Sequence, residues 1–339
     1  MKNQEQQKKK KRKILLSLII VLFVGIILTA STYTWFTANR TVTVEALDVN
    51  VSTTAGLLIS TDAINWKTIV TKDDIQNASG TYPTATNQLP ADTTEPVSTA
   101  GVVDTSTGFI NMYKGTLAAN ETGAFKNLTA TKSTETNGTT GDFIAFDLFF
   151  QTNQDTDLYL TSNSNVIAGA TDSNIQNATR VAFLPQGHSA DTSASATNQT
   201  MHATDTTGLK IWEPNADQHS TGGVANAANY PFVGSINAGT GNATLKYYGI
   251  NNAIATAQDI ASTDSGYFTD MDTTGFIVDT PASGIPSTGY QQILHIEKGV
   301  TKVRIYMWVE GQDVDCENNA SGGDLLYNLQ FSSLASANA

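Results

Sequence analysis

The chain begins with a charged block and then has none for a long stretch. Lys8–Lys13 reads KKKKRK, and Ile14–Ala30 follows as seventeen uncharged residues. A basic block ahead of an apolar run is held on the cytoplasmic side while the following chain crosses. Seventeen helical residues span about 26 Å, short of a ~30 Å hydrocarbon core. Running on to Phe36 completes a span and puts Tyr33, Trp35 and Phe36 at the interface. Thr29, Ala30 and Ser31 are the small residues that a signal peptidase needs. Two readings are open: residues 1–34 are a signal peptide that is removed, or residues 14–36 stay as a hydrophobic membrane helix.

Beyond the leader the pattern has period two. Thr41–Val51, TVTVEALDVNV, alternates with a slip of phase: Val42, Val44 and Ala46 share one face, Leu47, Val49 and Val51 the other. Keeping the apolar side inward across the slip requires one extra residue, which predicts a β-bulge near Glu45–Leu47. GLLIS and WKTIV read as short strands around a turn at Asp62–Asn65. DFIAFDLFFQ, Asp142–Gln151, is apolar on both faces and predicts a central strand covered on both sides. TDLYLTS follows the turn TNQD and is expected to pair back on it as a hairpin. SNIQNATRVAFLP predicts a helical turn capped by Ser173 and then a strand, and KIWE another strand.

Towards the C-terminus the alternation is cleanest. In GVTKVRIYMWVEG, Val303, Ile305, Met307 and Val309 alternate with Arg304, Tyr306, Trp308 and Glu310, the pattern of a half-buried antiparallel strand. GDLLYNLQF places Leu325, Tyr327, Leu329 and Phe331 on one side. About ten to fourteen such strands, joined by Gly, Asn and Asp turns, predict an all-β antiparallel β-sandwich, jelly-roll-like. Residues 76–108, 120–141, 186–207 and 213–229 lack periodicity and read as long polar surface loops inserted in one domain, 35–339. A boundary near 200–230 is the alternative division.

Composition narrows the setting. Cys316 is the one cysteine, so no disulfide forms within the chain. Seven of the 19 Lys and Arg fall in residues 1–13; the other 12 face 30 of the 31 acidic residues, a net of −18 beyond the leader. That field disfavours nucleic acid and anionic lipid and suits cations or a basic cell-wall partner.

Catalytic patterns are absent from the sequence. The histidines, His188, His202, His219 and His295, have no i,i+4 spacing for a zinc protease; three read as loop residues and His295 as a strand residue. Cys316 reads as a lone turn cysteine, and no nucleophile elbow or phosphate loop is present. The expectation is a protein that is not an enzyme and has no cofactor, with calcium as the candidate ion. Asp270, Asp272 and Thr274, followed by Gly275, resemble the front of a calcium loop. Pro281 stands where the bidentate acid belongs, and Asp279 is the substitute. Glu310, Asp313 and Asp315 form a second acidic turn, and Asp155 with Asp157 a third. The alternative for each is a solvated hairpin turn. Tyr306 and Trp308, flanked by opposite charges, are candidates for a glycan platform, against the alternative of cover by a second layer.

The leader followed by TYTWFTANRTVTV resembles the start of the TasA and camelysin family of exported bacterial proteins. FIAFDLFFQTNQDTDLYL, and VRIYMWVEGQDVDC through LLYNLQFS, are similar in layout to the strands of such proteins. The resemblance implies cleavage by a dedicated signal peptidase near Thr34–Trp35. It also implies an extracellular matrix or fibre subunit that self-associates, or joins other surface proteins, by β-strand addition. Trp35, Phe36, Val42 and Val44 would belong to the donated strand; the alternative is that Thr41–Val51 pairs within its own sheet. The expected function is an exported structural protein, secreted or on the cell surface of a Gram-positive-type bacterium. The competing function is a membrane-anchored adhesin or glycan-binding protein.

Overall fold

The computed structural model describes residues 41–51, 56–90, 94–119, 121, 125–161, 163–171, 173–216, 218–219, 248–259, 266–271, 276–277, 292–316 and 322–334. The leader, Trp35 and Phe36 lie outside them. Among the described residues no helix is long and apolar enough to cross a membrane.

The chain is mostly β. The first strands are β1 Thr43–Val51, β2 Leu58–Ser60, β3 Ile69–Thr71, β4 Val103–Asp104, β5 Phe109–Ile110, β6 Met112–Ala119 and β7 Phe125–Ser133. There follow β8 Ile144–Thr152, β9 Thr156–Leu160, β10 Asn165–Ala168, β11 Thr179–Ser189, β12 Lys210–Trp212 and β13 Tyr248–Ile250. The last are β14 Ile254–Asp259, β15 Phe268–Asp270, β16 Phe276–Ile277, β17 Gln292–Ile296, β18 Gly299–Val309 and β19 Asp324–Leu334. Two short helices, α1 Lys72–Gln76 and α2 Ser195–Thr200, interrupt them. Helix α1 starts in a capping box: the Thr71 hydroxyl accepts from the Asp74 amide and the Asp74 carboxylate from the Thr71 amide.

Two six-stranded sheets carry the architecture. The first runs β17-β9-β19-β1-β3, with β10 also on β19; the second runs β16-β12-β11-β18-β8-β2. One apolar cluster joins their facing sides. Leu47, Val49, Leu158, Leu329 and Phe331 come from the first sheet, and Phe146, Leu148, Phe150, Phe183 and Ile305 from the second. Phe331 meets Phe150 and Phe183 edge-on, with ring centroids 5.1 and 5.7 Å away.

The first and last strands lie side by side in the first sheet. β1 and β19 pair in parallel from Thr43↔Asp324 to Val51↔Phe331, with a register shift between Val44 and Ala46. The expected bulge is there, and it works as the phase slip requires: Val42, Val44, Leu47, Val49 and Val51 are all buried. β19 alternates as read, with Leu325, Tyr327, Leu329 and Phe331 buried.

Several expectations are corrected. β8 is fully embedded between β18 and β2, but β9 does not fold back on it. The TNQD turn carries the chain into the other sheet, where β9 pairs β17 and β19. β18 is buried along its whole length, because its outer face meets a second apolar cluster from residues 97–112 and 203–211. The turn before β11 has Asn174, whose φ is 64°, and not Ser173 at its N-cap position. The stretch 120–141, read as loop, contains β7, which pairs β6 and β14. In 186–207, β11 continues to Ser189 and α2 follows.

Candidate functional site

The residues singled out in the sequence are not gathered at one place. Tyr306 and Trp308 are 0% and 1% exposed, so they offer no glycan platform. The Tyr306 hydroxyl accepts from the Ile110 amide at 3.0 Å, and the Trp308 indole donates to Glu310 at 3.0 Å. Val42 and Val44 belong to the chain's own fold. Val42 exchanges backbone hydrogen bonds with Thr94 at 2.9 and 2.7 Å, and Val44 pairs Leu325. Both are thus engaged within the chain's own fold, the pairing given as the alternative to donation. Asp270 ends β15 half-buried, while Asp272, Thr274 and Asp279 lie outside the described residues. Asp157 is taken up by His295 at 2.6 Å and Gln292 at 2.7 Å. His188 is a strand residue of β11, and Cys316 is buried in the main apolar cluster.

What the fold does assemble is a closed ionic cluster around His219. Glu213 follows β12, and the chain then turns back on itself. The Asn215 side chain donates to Val166 and Gln176 carbonyls at 2.9 Å, and Asn177 donates to the Gln218 carbonyl at 2.8 Å. These bonds pin His219 beside Glu213. On the other side, Asp313 and Asp315 come from the turn after β18. That turn is wound by its own acids: Glu310 accepts from the Gln312 amide at 3.0 Å and Asp313 from the Asp315 amide at 2.8 Å.

Within the cluster His219 Nδ1 is 2.8 Å from Asp315 Oδ2 and 3.8 Å from Asp313 Oδ1, and Nε2 is 3.1 Å from Glu213 Oε1. Arg180 on β11 reaches Glu213 at 2.8 Å and Asp313 at 2.6 Å. The side chains of Arg180, Glu213, His219 and Asp313 are all 0% exposed. Burial alone would push the imidazole down; the charge of Asp313 and the hydrogen bonds of Asp315 and Glu213 raise it to about 10. Burial pushes the Asp313 carboxyl up, against the pull of His219 and Arg180.

A second buried network sits on β8 and β18. Arg304 donates to Asp147 at 2.7 Å and pairs with Glu135; Lys302 lies 3.1 Å from Asp147. Lys302 also donates to the Tyr82 hydroxyl at 3.0 Å and to the Gln199 and Met201 carbonyls at 3.0 and 2.8 Å. Burial lowers Lys302 and raises Glu135, whereas for Asp147 the two cations outweigh burial and hold the carboxyl low. The network ties Glu135, after β7, and Tyr82, after α1, to the second sheet.

Sequence reasoning missed the His219 cluster because its members have no common spacing: His219 and Asp315 are 96 positions apart, Arg180 and Asp313 133. The legible signal was EGQDVDC, whose acids are buried, not solvated. The arrangement suits holding chain segments together or holding a cation. Searches against protein-family models, curated proteins and solved structures find no match for the chain.

Proposed function

We propose that the chain is an exported structural protein of the cell surface, a jelly-roll-like β-sandwich built to carry tension between its ends. The parallel pairing of β1 with β19 supports this reading. The N-terminal end of the chain enters at the start of β1, and the C-terminal end leaves from the far end of β19. Pulling the two ends apart slides these strands along each other, so their ladder of hydrogen bonds is strained together and does not unzip one bond at a time. The two buried ionic networks serve the same purpose, because each ties distant segments to a sheet.

A tethered or polymeric surface protein meets such force; a free secreted enzyme does not. In this proposal the basic block and apolar run direct the chain outward, either cleaved near Trp35 or retained as anchor. Self-association by strand addition would use residues ahead of Thr41, since Val42 and Val44 are engaged at home, with the terminal strand β17 as acceptor. The test is cell fractionation with N-terminal sequencing. A chain starting near Trp35 in salt-resistant polymers, or a Met1-containing chain in the membrane fraction, supports the proposal. Full-length chain soluble in the cytosol contradicts it.

A further inference from the structure

We propose that His219, Glu213 and Asp313 bind one divalent transition-metal ion of the zinc class, with Asp315 as the residue that positions the imidazole. One ligand atom from each of the three lies within 4.8 Å of the others. One imidazole nitrogen with two carboxylate oxygens is a zinc-class donor set; calcium takes six to eight oxygens, and an imidazole spends a position on the wrong atom. The Asp315 carboxylate, 2.8 Å from Nδ1, fixes the ring so that Nε2 faces Glu213. Metal-bound histidines are commonly held in this way, with the remote ring nitrogen on a carboxylate.

Charge points in the same direction. Arg180 pairs with Glu213 and Asp313, while the third carboxylate, Asp315, holds the ring of His219. An ion on Nε2 takes the place of the ring proton, so that its two charges with that of Arg180 balance the three carboxylates in a volume where unbalanced charge is costly. Arg180 does not exhaust the acceptors, because each carboxylate offers about four lone-pair sites. With three enclosed side chains as ligands and a fourth position left to water or a second carboxylate oxygen, the ion would clasp Glu213 and His219 to the turn at 313–315. The inference does not rest on the tension-bearing reading, and its test reads metal binding alone.

The experiment is titration of the purified full chain, stripped with chelator and dialysed, with zinc chloride by calorimetry and with cobalt chloride by visible absorption. The expected result is one equivalent of zinc, cobalt bands of tetrahedral intensity, and a raised melting temperature. His219→Ala is expected to abolish the binding, and Asp315→Asn to weaken it about 10- to 100-fold. His295→Ala, which removes an exposed imidazole, leaves it intact. The cobalt spectrum of the unsubstituted chain reads imidazole coordination even where His219→Ala fails to fold. No saturable binding, or cobalt bands of octahedral all-oxygen type, or binding lost in His295→Ala, overturns the proposal.

Discussion

The side-chain amide of Asn50 donates to the side-chain oxygen of Asn328 at 3.3 Å, joining residues 278 positions apart. The bond crosses the parallel seam between the first and last strands. Beneath it, Val49 and Leu329 pair in register and are both fully buried. The first and last strands are thus closed upon each other, and most consequences of the fold follow from that seam.

Leu329→Ala removes a side chain that fills the space between the sheets. We expect a loss of about 2–5 kcal/mol, the range for truncating a buried leucine. Asn328→Ala, on the other face of the same strand, is expected to cost about 1 kcal/mol or less. Urea unfolding of the two variants checks the pair; equal costs would mean that β19 is not packed inward as described.

Arg304→Met leaves Asp147 and Glu135 buried without their shared partner, and is expected to cost about 3–5 kcal/mol. Replacing Arg304 and Glu135 together with apolar residues of similar volume leaves Asp147 paired with Lys302 and is expected to recover most of the loss. Thermal unfolding of the single and double variants distinguishes a buried ionic group from a solvated one, for which the single change would be nearly silent.

Asp62 gives a pH-dependent term. Burial alone would raise its carboxyl, but the Asn65 amide, the Thr81 hydroxyl and the Ile64 amide donate to it and hold it at about 2, below the ordinary 3.8. Its folded value is the lower one, so its contribution is complete above about pH 4 and is lost as the pH falls towards 2. After allowance for solvent screening this is about 1 kcal/mol. The stability difference between the unsubstituted chain and Asp62→Asn is expected to shrink over that interval in acid titration; a constant difference contradicts the assignment.

Much of the sheet framework was legible in the alternation of apolar positions. The slip in Thr41–Val51 could be read because a strand cannot change faces without an extra residue. Leu325–Phe331 could be read because one face is greasy and the other is not. What period two does not carry is the identity of the partner. TNQD signals a reversal, but whether Thr156–Leu160 returns to the same sheet or crosses to the other depends on residues far away, here Phe331–Leu334 and Gln292–Ile296. The outer face of β18 looked solvent-facing because Arg304 and Glu310 are charged; Arg304 is met by the distant Asp147 and Glu135, and Glu310 by its neighbours Trp308 and Gln312. His219 could not be joined to Asp313 by any local pattern, since only the folded chain brings their segments together.

Trp308→Ala tests the burial of the outer face of β18. A side chain enclosed between β18 and the segments packed over it is expected to cost about 3–5 kcal/mol when truncated. An exposed platform aromatic would cost under about 0.5 kcal/mol. Guanidinium unfolding of the variant decides between them.

The most direct measurement of the proposed role is single-molecule stretching of the full chain held at its two termini. Forced unfolding is governed by the rate of barrier crossing, not by equilibrium stability. The account predicts one high-force rupture as the β1–β19 ladder shears, and a markedly lower rupture force when Asn50 is replaced by proline; the Val51 amide points away to Thr68, so the Asn50 amide lies on the β19 side, and proline lacks that donor. Gradual extension at low force, unchanged by that substitution, would contradict it.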